Sequence, residues 1–200
     1  MTTAIFNLPP VWLASRSPRR RELLDQLGIR HQPLDIDTDE SVLPGEAPSA
    51  YVTRIAREKA LAGVRIMQQQ ALEPRPVLAA DTSVILDQQI LGKPGTAEVA
   101  REMLERLSNR THDVMTAIAI ATQEQILTSI SVSQVRFARL STAVIDAYIN
   151  SGEPLDKAGG YAIQGAAAAF ISHLSGSYSG VMGLPLHDVY RLLGQLGNPN

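Results

Sequence analysis

The sequence predicts an α/β fold: a mixed, twisted sheet with flanking helices, in two lobes around a central cleft. Three observations carry that expectation. Apolar strand-like runs alternate with segments of helical periodicity along most of the chain, the pattern of strands covered by helices. Two long runs, 112–122 and 126–140, are joined by a short polar turn and read as a hairpin, so the sheet is not purely parallel. The chain has 200 residues, 44% of them hydrophobic, enough for one real core, and no repeat, low-complexity tract or long linker divides it. A single domain over residues 1–200 is expected.

Taken in order, Val11 to Ala14 reads as the end of a buried strand. Ser17 and Pro18 then signal a helix start: a hydroxyl to cap free N–H groups, and a proline that needs no N–H. Leu23, Leu24 and Leu27 supply its apolar stripe and Gly28 closes it. The charge breaks a local rule. A helix start favours acids because the macrodipole is positive there, yet this one carries Arg19, Arg20 and Arg21, with Arg16 just before. Either these arginines point into solvent, or an anion sits where free N–H groups, dipole and guanidinium forks converge. A strand is expected over 31–36. Asp35, Asp37, Asp39 and Glu40 then place four acids within six residues, ahead of a loop with Pro44, Gly45 and Pro48. Such a cluster is either a solvated acidic loop or a holder of a divalent cation.

Residues 49–70 read as a helix with Val52, Ile55, Ala56, Ala60 and Gly63 on one face. Lys59 falls within that stripe, so it must snorkel outward or meet an anion. The strongest strand is 76–86, an apolar run of the kind buried on both faces, interrupted by Asp81, Thr82 and Ser83. An acid inside such a strand needs a partner, a metal or a job. Asp81 is therefore the first catalytic candidate, set against a structural carboxylate capping a nearby turn. Ile90 to Gly95 turns the chain, with Lys93 held extended before Pro94.

Thr96 caps the next helix, with Glu98 in its first turn and Val99, Ala100, Met103, Leu104 and Leu107 inward. In the second hairpin strand, the alternation of Ile130 and Val132 gives way to that of Val135 and Phe137, a slip of phase that predicts a bulge near Ser133-Gln134. Ser141 caps a helix carrying Val144, Ile145, Tyr148 and Ile149. The stretch 151–165 is rich in glycine and small residues, which let backbone approach a ligand. Asp156, Lys157 and Gln164 supply its polar heads, and Gln164 can both donate and accept, as the edge of a nucleobase requires. The bland alternative is a plain loop. A strand over 166–174 and a closing helix over 185–196 complete the chain.

Composition excludes several classes. The net charge is −2, and three Phe, one Trp and five Tyr are few aromatics for a nucleic-acid surface. There is no cysteine, hence no disulfide, thiol catalysis or Cys-ligated zinc. His31, His112, His173 and His187 lack metal-ligand spacing, so structural roles are expected for them. Residues 1–10 lack the charged start and apolar run of a signal peptide, and no apolar stretch reaches membrane-spanning length. The expected location is the cytoplasm, with neither nucleic acid nor membrane as partner; a homodimer is left open. Arg19, Lys59, Asp81, Lys93, Lys157 and Gln164 are expected to line the cleft.

Six segments together resemble the Maf family of nucleoside triphosphate pyrophosphatases. They are Leu13-Ala14-Ser15-x-Ser17-Pro18-Arg19-Arg20, Ala56-x-x-Lys59-Ala60, Ala80-Asp81-Thr82, Gly92-Lys93-Pro94, Asp156-Lys157-Ala158-Gly159 with Ile163-Gln164-Gly165, and Gly183-Leu184-Pro185. The resemblance implies the Maf/Ham-type fold. It also implies hydrolysis between the α and β phosphates, with a divalent cation, magnesium or manganese, as cofactor. It assigns Asp81 as the base that activates water. Arg19, Thr82 and Gln164 would select substrate, a trio like that of the dTTP/UTP-type subgroup, with modified pyrimidine nucleotides as further candidates. Ser15, Lys59, Lys93 and Lys157 would contact substrate, and Glu40 with Asp81 would hold the metal. Arg16 departs from the family's usual small residue. The family name is also linked with septum inhibition, so a nucleotide-binding regulator of cell division is the alternative function.

Overall fold

A computed structural model describes residues 6–197. Its centre is one seven-stranded mixed sheet. Strand β1 (Val11–Leu13), buried throughout, leads into helix α1 (Pro18–Gln26), which Gly28 closes with a positive φ of 67°. Strand β2 (His31–Pro33) returns parallel to β1. Helix α2 (Pro48–Gln69) follows, then β3 (Val77–Leu86), in which every position but Thr82 is buried. Strand β4 (Gln89–Leu91) folds back on the end of β3. Helix α3 (Ala97–Leu107), the hairpin of β5 (Thr111–Ala121) and β6 (Ile126–Phe137), helix α4 (Thr142–Asn150), strand β7 (Ile171–Ser175), the single turn α5 (Tyr178–Val181) and helix α6 (Leu186–Gly197) complete the order. Across the sheet the strands run β2-β1-β3-β5-β6-β7, with β4 pairing β3.

The two lobes share the long strands. The first half of β3 is sandwiched by apolar side chains. On one face Val52, Ile55, Ala56 and Ala60 of α2 meet Val77, Ala79, Ala117 and Ala119. On the other, Leu23 and Leu24 of α1 and Val189 and Leu193 of α6 meet Leu78, Ala80, Ile118 and Ile120. A third cluster surrounds the far end, with Val84, Leu86, Leu104, Phe137, Tyr148 and Phe170. Asp81 to Ser83 fall at the waist between them. No helix among the described residues is long and apolar enough to cross a membrane.

Several local expectations need correction. Thr96 and Ser141 cap their helices through Val99 and Val144 N–H, but Ser17 makes no side-chain cap. Strand β2 stops at Pro33: the Leu34 N–H makes one last bond to the Leu13 carbonyl at 2.9 Å, and the acids that follow prefer water. The chain turns earlier than the expected 90–95: Asp87 and Gln88 both take positive φ, 52° and 62°, the primed geometry that matches strand twist, so that Ile90 and Leu91 belong to β4. The expected bulge near Ser133-Gln134 is absent. Pairing of β5 with β6 is unbroken from Thr111↔Arg136 to Ala121↔Ile126. Ile130 and Val132 simply face outward, 39% and 50% exposed, while Ser133 faces in. The irregularity lies between Arg136 and Phe137, against β7. Residues 166–170 wind a 3₁₀ turn instead of a strand, since an alanine run has no preference for a pleated surface.

Two core positions generate predictions. A Cβ on Gly63 would stand 2.6 Å from Val77 Cγ1, so α2 lies against β3 only because this position has none. Gly63→Ala should destabilise by about 1–3 kcal/mol, seen as a lower urea midpoint at unchanged m-value. His112 is 3% exposed, its Nε2 2.7 Å from the Tyr161 hydroxyl, and burial pulls its pKa from 6.5 to about 4. Between those values the unfolded chain binds a proton that the folded chain refuses, so stability falls as pH drops from about 6.5 towards 4. His112→Gln should lose this component, flattening the difference between unfolding midpoints at pH 7 and pH 4.5.

Candidate active site

The cleft exists because one edge of β3 is left uncovered. Strand β1 flanks β3 only at Val77 and Leu78, and β4 only from Val84 onward. From Ala79 to Ser83 the strand is paired to β5 on one side and, among the described residues, has no strand on the other. A cavity of about 1030 Å³ opens along this edge. It brings together Ser15, Arg19, Glu40, Lys59, Asp81, Thr82, Lys93, Lys157 and Gln164, every residue singled out from the sequence. Alternation along β3 sends Asp81 to the α2 face and Thr82 to the opposite face. Both reach one cavity because the edge between them is open.

On the α2 face, Lys59 Nζ lies 2.9 Å from Asp81 Oδ1 and 2.8 Å from Glu40 Oε1. The lysine inside the apolar stripe thus does not snorkel; it meets anions, holding two carboxylates. Tyr51, whose hydroxyl donates to the Glu40 carbonyl at 2.9 Å, anchors the acidic loop above it. Burial, then Asp81 and Glu40, push the Tyr51 pKa up to about 12, so it donates as a neutral phenol. Burial works against the Glu40 charge, but the Lys59 hydrogen bond, with Lys93 and Arg20 behind it, holds the carboxyl below its ordinary range. Among the described residues no three His, Cys, Asp or Glu side chains cluster as metal ligands. Two carboxylates facing one cation are nonetheless the protein share of a typical magnesium site, which takes its remaining ligands from phosphates and waters. Glu40 and Asp81 therefore fit such an ion.

The arginine cluster splits. Arg21 is exposed, and Arg16 pairs at 2.5 Å with Asp35 at the mouth, both side chains 76% exposed, an arrangement worth little in stability. Arg20 turns inward, and all three of its nitrogens are engaged. Nε donates to the Gly183 carbonyl at 2.9 Å, Nη1 to Ser15 Oγ at 3.0 Å and Nη2 to Thr82 Oγ1 at 3.4 Å. Arg20 thereby ties the β1–α1 loop, β3 and the segment after α5 to one another. Arg19 lines the cavity beside Asp156, whose carboxyl lies low chiefly through Lys157, with Arg19 contributing. Ser15 Oγ, already engaged by Arg20, also accepts the Ser17 N–H at 3.2 Å, leaving the start of α1 without a side-chain cap.

The far rim is the stretch 153–165. Lys157 Nζ donates to the Glu153 carbonyl at 2.8 Å and to Asp156 at 2.7 Å, while Gln164 is exposed to the cavity. Glu153 secures this rim: its carboxylate accepts from Tyr148 at 3.0 Å and from Ala166 N–H at 3.1 Å. A Cβ on Gly165 would stand 2.0 Å from its Oε1. The sequence reading missed Arg20 and Glu153 as site residues. The signal for Arg20 was its place three residues after Ser17, on the inward side of the helix start; Glu153 gave none, since its partners lie across a loop.

Six cationic and four acidic side chains line the cavity, a net positive pocket in a chain of net charge −2. The pattern of the family described as Maf-like protein matches residues 10–196. The chain belongs to the Maf family. A relative of this Maf-family chain from Chromobacterium violaceum, named dTTP/UTP pyrophosphatase, is 50% identical over 187 residues, 94% of each chain. One of the same name from Alkalilimnicola ehrlichii is 51% identical over 186 residues, 92% of each chain. The solved structure of the Staphylococcus aureus Ham1 protein matches 64% of this chain and 72% of that chain, with a TM-score of 0.44 and 14% identity.

The Lys59 triad sets a stability prediction for this Maf-family site. Lys59→Met leaves the buried Asp81 carboxylate without its partner, a loss of about 3–5 kcal/mol at neutral pH. The deficit should appear in urea unfolding as a lower midpoint at unchanged m-value.

Proposed function

We propose that the chain is a nucleoside triphosphate pyrophosphatase that hydrolyses dTTP and UTP, with modified pyrimidine nucleotides as a further substrate class, to the monophosphate and pyrophosphate. The observation that carries this reading is the buried Asp81 carboxylate in one cavity with Arg19, Lys59, Lys93 and Lys157. The names of relatives at about half identity support it, and they do not favour the alternative of a cell-division regulator. The net positive lining suits a metal triphosphate, and its volume is of the size that holds small ligands, roughly 300–1,000 Å³.

In this mechanism the water oxygen attacks the α-phosphorus while Asp81 takes its proton, and the bond from the α-phosphorus to the bridging oxygen breaks. Pyrophosphate leaves as an oxyanion. Arg19, with the uncapped first turn of α1, and Lys93 and Lys157 on the far rim stabilise the charge on the phosphate oxygens. Glu40 and Asp81 would hold a divalent cation, magnesium or manganese, which supplies further neutralisation at the phosphates. Lys59, displaced from between those carboxylates, would turn to the phosphates. Thr82 and Gln164 face the base. The proposed site of action is the cytoplasm.

The test is incubation with dTTP or UTP and magnesium, separating pyrophosphate from orthophosphate. Pyrophosphate is the expected product, and absence of any from folded protein overturns the reading. Asp81→Asn should lower kcat by about 10²–10⁴-fold, the usual worth of a positioned base. Chelation should stop turnover and added magnesium or manganese should restore it.

A further inference from the structure

The Thr82 hydroxyl lines the cavity, and its buried neighbours decide what it can offer a ligand. A threonine hydroxyl has one proton and two lone pairs. Thr116 sits directly across from Thr82 in the β3–β5 pair and is fully buried. Its Oγ1 lies 2.8 Å from the Gly180 carbonyl. A carbonyl only accepts, so the single Thr116 proton is committed there. That carbonyl is fixed in turn, since it also accepts the Gly183 N–H at 2.9 Å, and Ser177 Oγ caps the Gly180 N–H at 3.0 Å.

The 2.9 Å contact between the two threonine hydroxyls then has only one direction: Thr82 donates to Thr116. Arg20 Nη2 donates into Thr82 from the other side, and Arg20 Nε donates to Gly183. The ring Arg20, Thr82, Thr116, Gly180 and Gly183 is closed. Thr82 has no proton left for a ligand and one lone pair free.

We propose that Thr116 is a specificity-determining positioning residue: by taking the Thr82 proton, it presents Thr82 to the cavity as an acceptor only. Set against position 3 of a pyrimidine ring, such a hydroxyl favours uracil and thymine, which carry N3–H, over cytosine, whose N3 is itself an acceptor and whose own donor, the amino group, stands on C4; two facing acceptors repel. This rests on the pyrimidine triphosphate reading above and names the base edge that the site selects. A single mismatch of this kind is worth roughly 10- to 100-fold in affinity.

The experiment is calorimetric titration of the non-hydrolysable α,β-methylene analogues of dTTP and dCTP, with magnesium. The parent protein should prefer the thymine analogue by about 10-fold or more. Thr116→Val keeps the side-chain shape, frees the Thr82 proton and should bring the two affinities to within about threefold, chiefly by gain for cytosine. Thr116→Ser should restore the preference. In a Thr82→Val background, Thr116→Val should change nothing further, an outcome that a merely structural threonine would not give. Thr116→Ala is the second variant if valine does not fold, with melting temperature as the check. No preference in the parent, a preference untouched in Thr116→Val, or an equal effect with Thr82 absent overturns the inference. Pyrophosphate release from dTTP is measured separately: if it fails while the analogue preference and its loss stand, the hydrolytic reading falls and the role of Thr116 stands.

Discussion

Between Leu78 and Val84 one edge of the central strand pairs with no other strand among the described residues, and the rest of the molecule is arranged around that gap. An uncovered strand edge inside a protein is ordinarily a liability, because its N–H and C=O groups seek a partner. Here β1 is too short to fill it and β4 approaches only from the other end. The apolar clusters stop on either side of the same interval. The gap lets side chains from both faces of one sheet meet in one cavity, which a fully paired strand would keep apart.

Two cationic hubs stabilise the polar groups that line this gap. Lys59 neutralises Asp81 and Glu40 on one face, and Arg20 collects Ser15, Thr82 and Gly183 on the other. Neither is free to act as a simple phosphate clamp in this arrangement. A lysine is suited to the first task because its compact ammonium can sit between two carboxylates and later yield; an arginine is suited to the second because its planar fork addresses three fixed acceptors at once. The cations that line the cavity with fewer protein partners include Arg19, half-buried, and Lys93, exposed.

The rim opposite α1 shows why small residues gather there. Gly159 takes a φ of 67°, and a Cβ on it would meet Val84 at 2.8 Å, so the loop lies flat on the end of β3. Gly165 likewise leaves room for the Glu153 carboxylate. Backbone proximity, rather than flexibility, is what these glycines supply, and it brings Lys157 and Gln164 to the cavity.

The amino-acid sequence alone determined the elements whose cause is local. The 22-residue helix α2, the apolar β3, the long hairpin and the caps at Thr96 and Ser141 follow from periodicity and side-chain chemistry within a few residues. It also marked Asp81 and Lys59 as out of place, because a charge in an apolar stripe is costly wherever the chain goes. What it could not determine was pairing across distance. Nothing near Lys59 shows that its partners are 19 and 22 residues away, on a loop and a strand, and nothing near Arg20 shows that it reaches Gly183. The direction of the Thr82–Thr116 hydrogen bond depends on a carbonyl 64 residues further along the chain from Thr116. Register was hidden for the same reason: Ile130 and Val132 look like core by composition, yet which face of β6 is covered depends on where α2 ends up. Hydrophobic pattern fixes an element, whereas which of its polar atoms are satisfied, and in which direction, is decided only when the elements are packed.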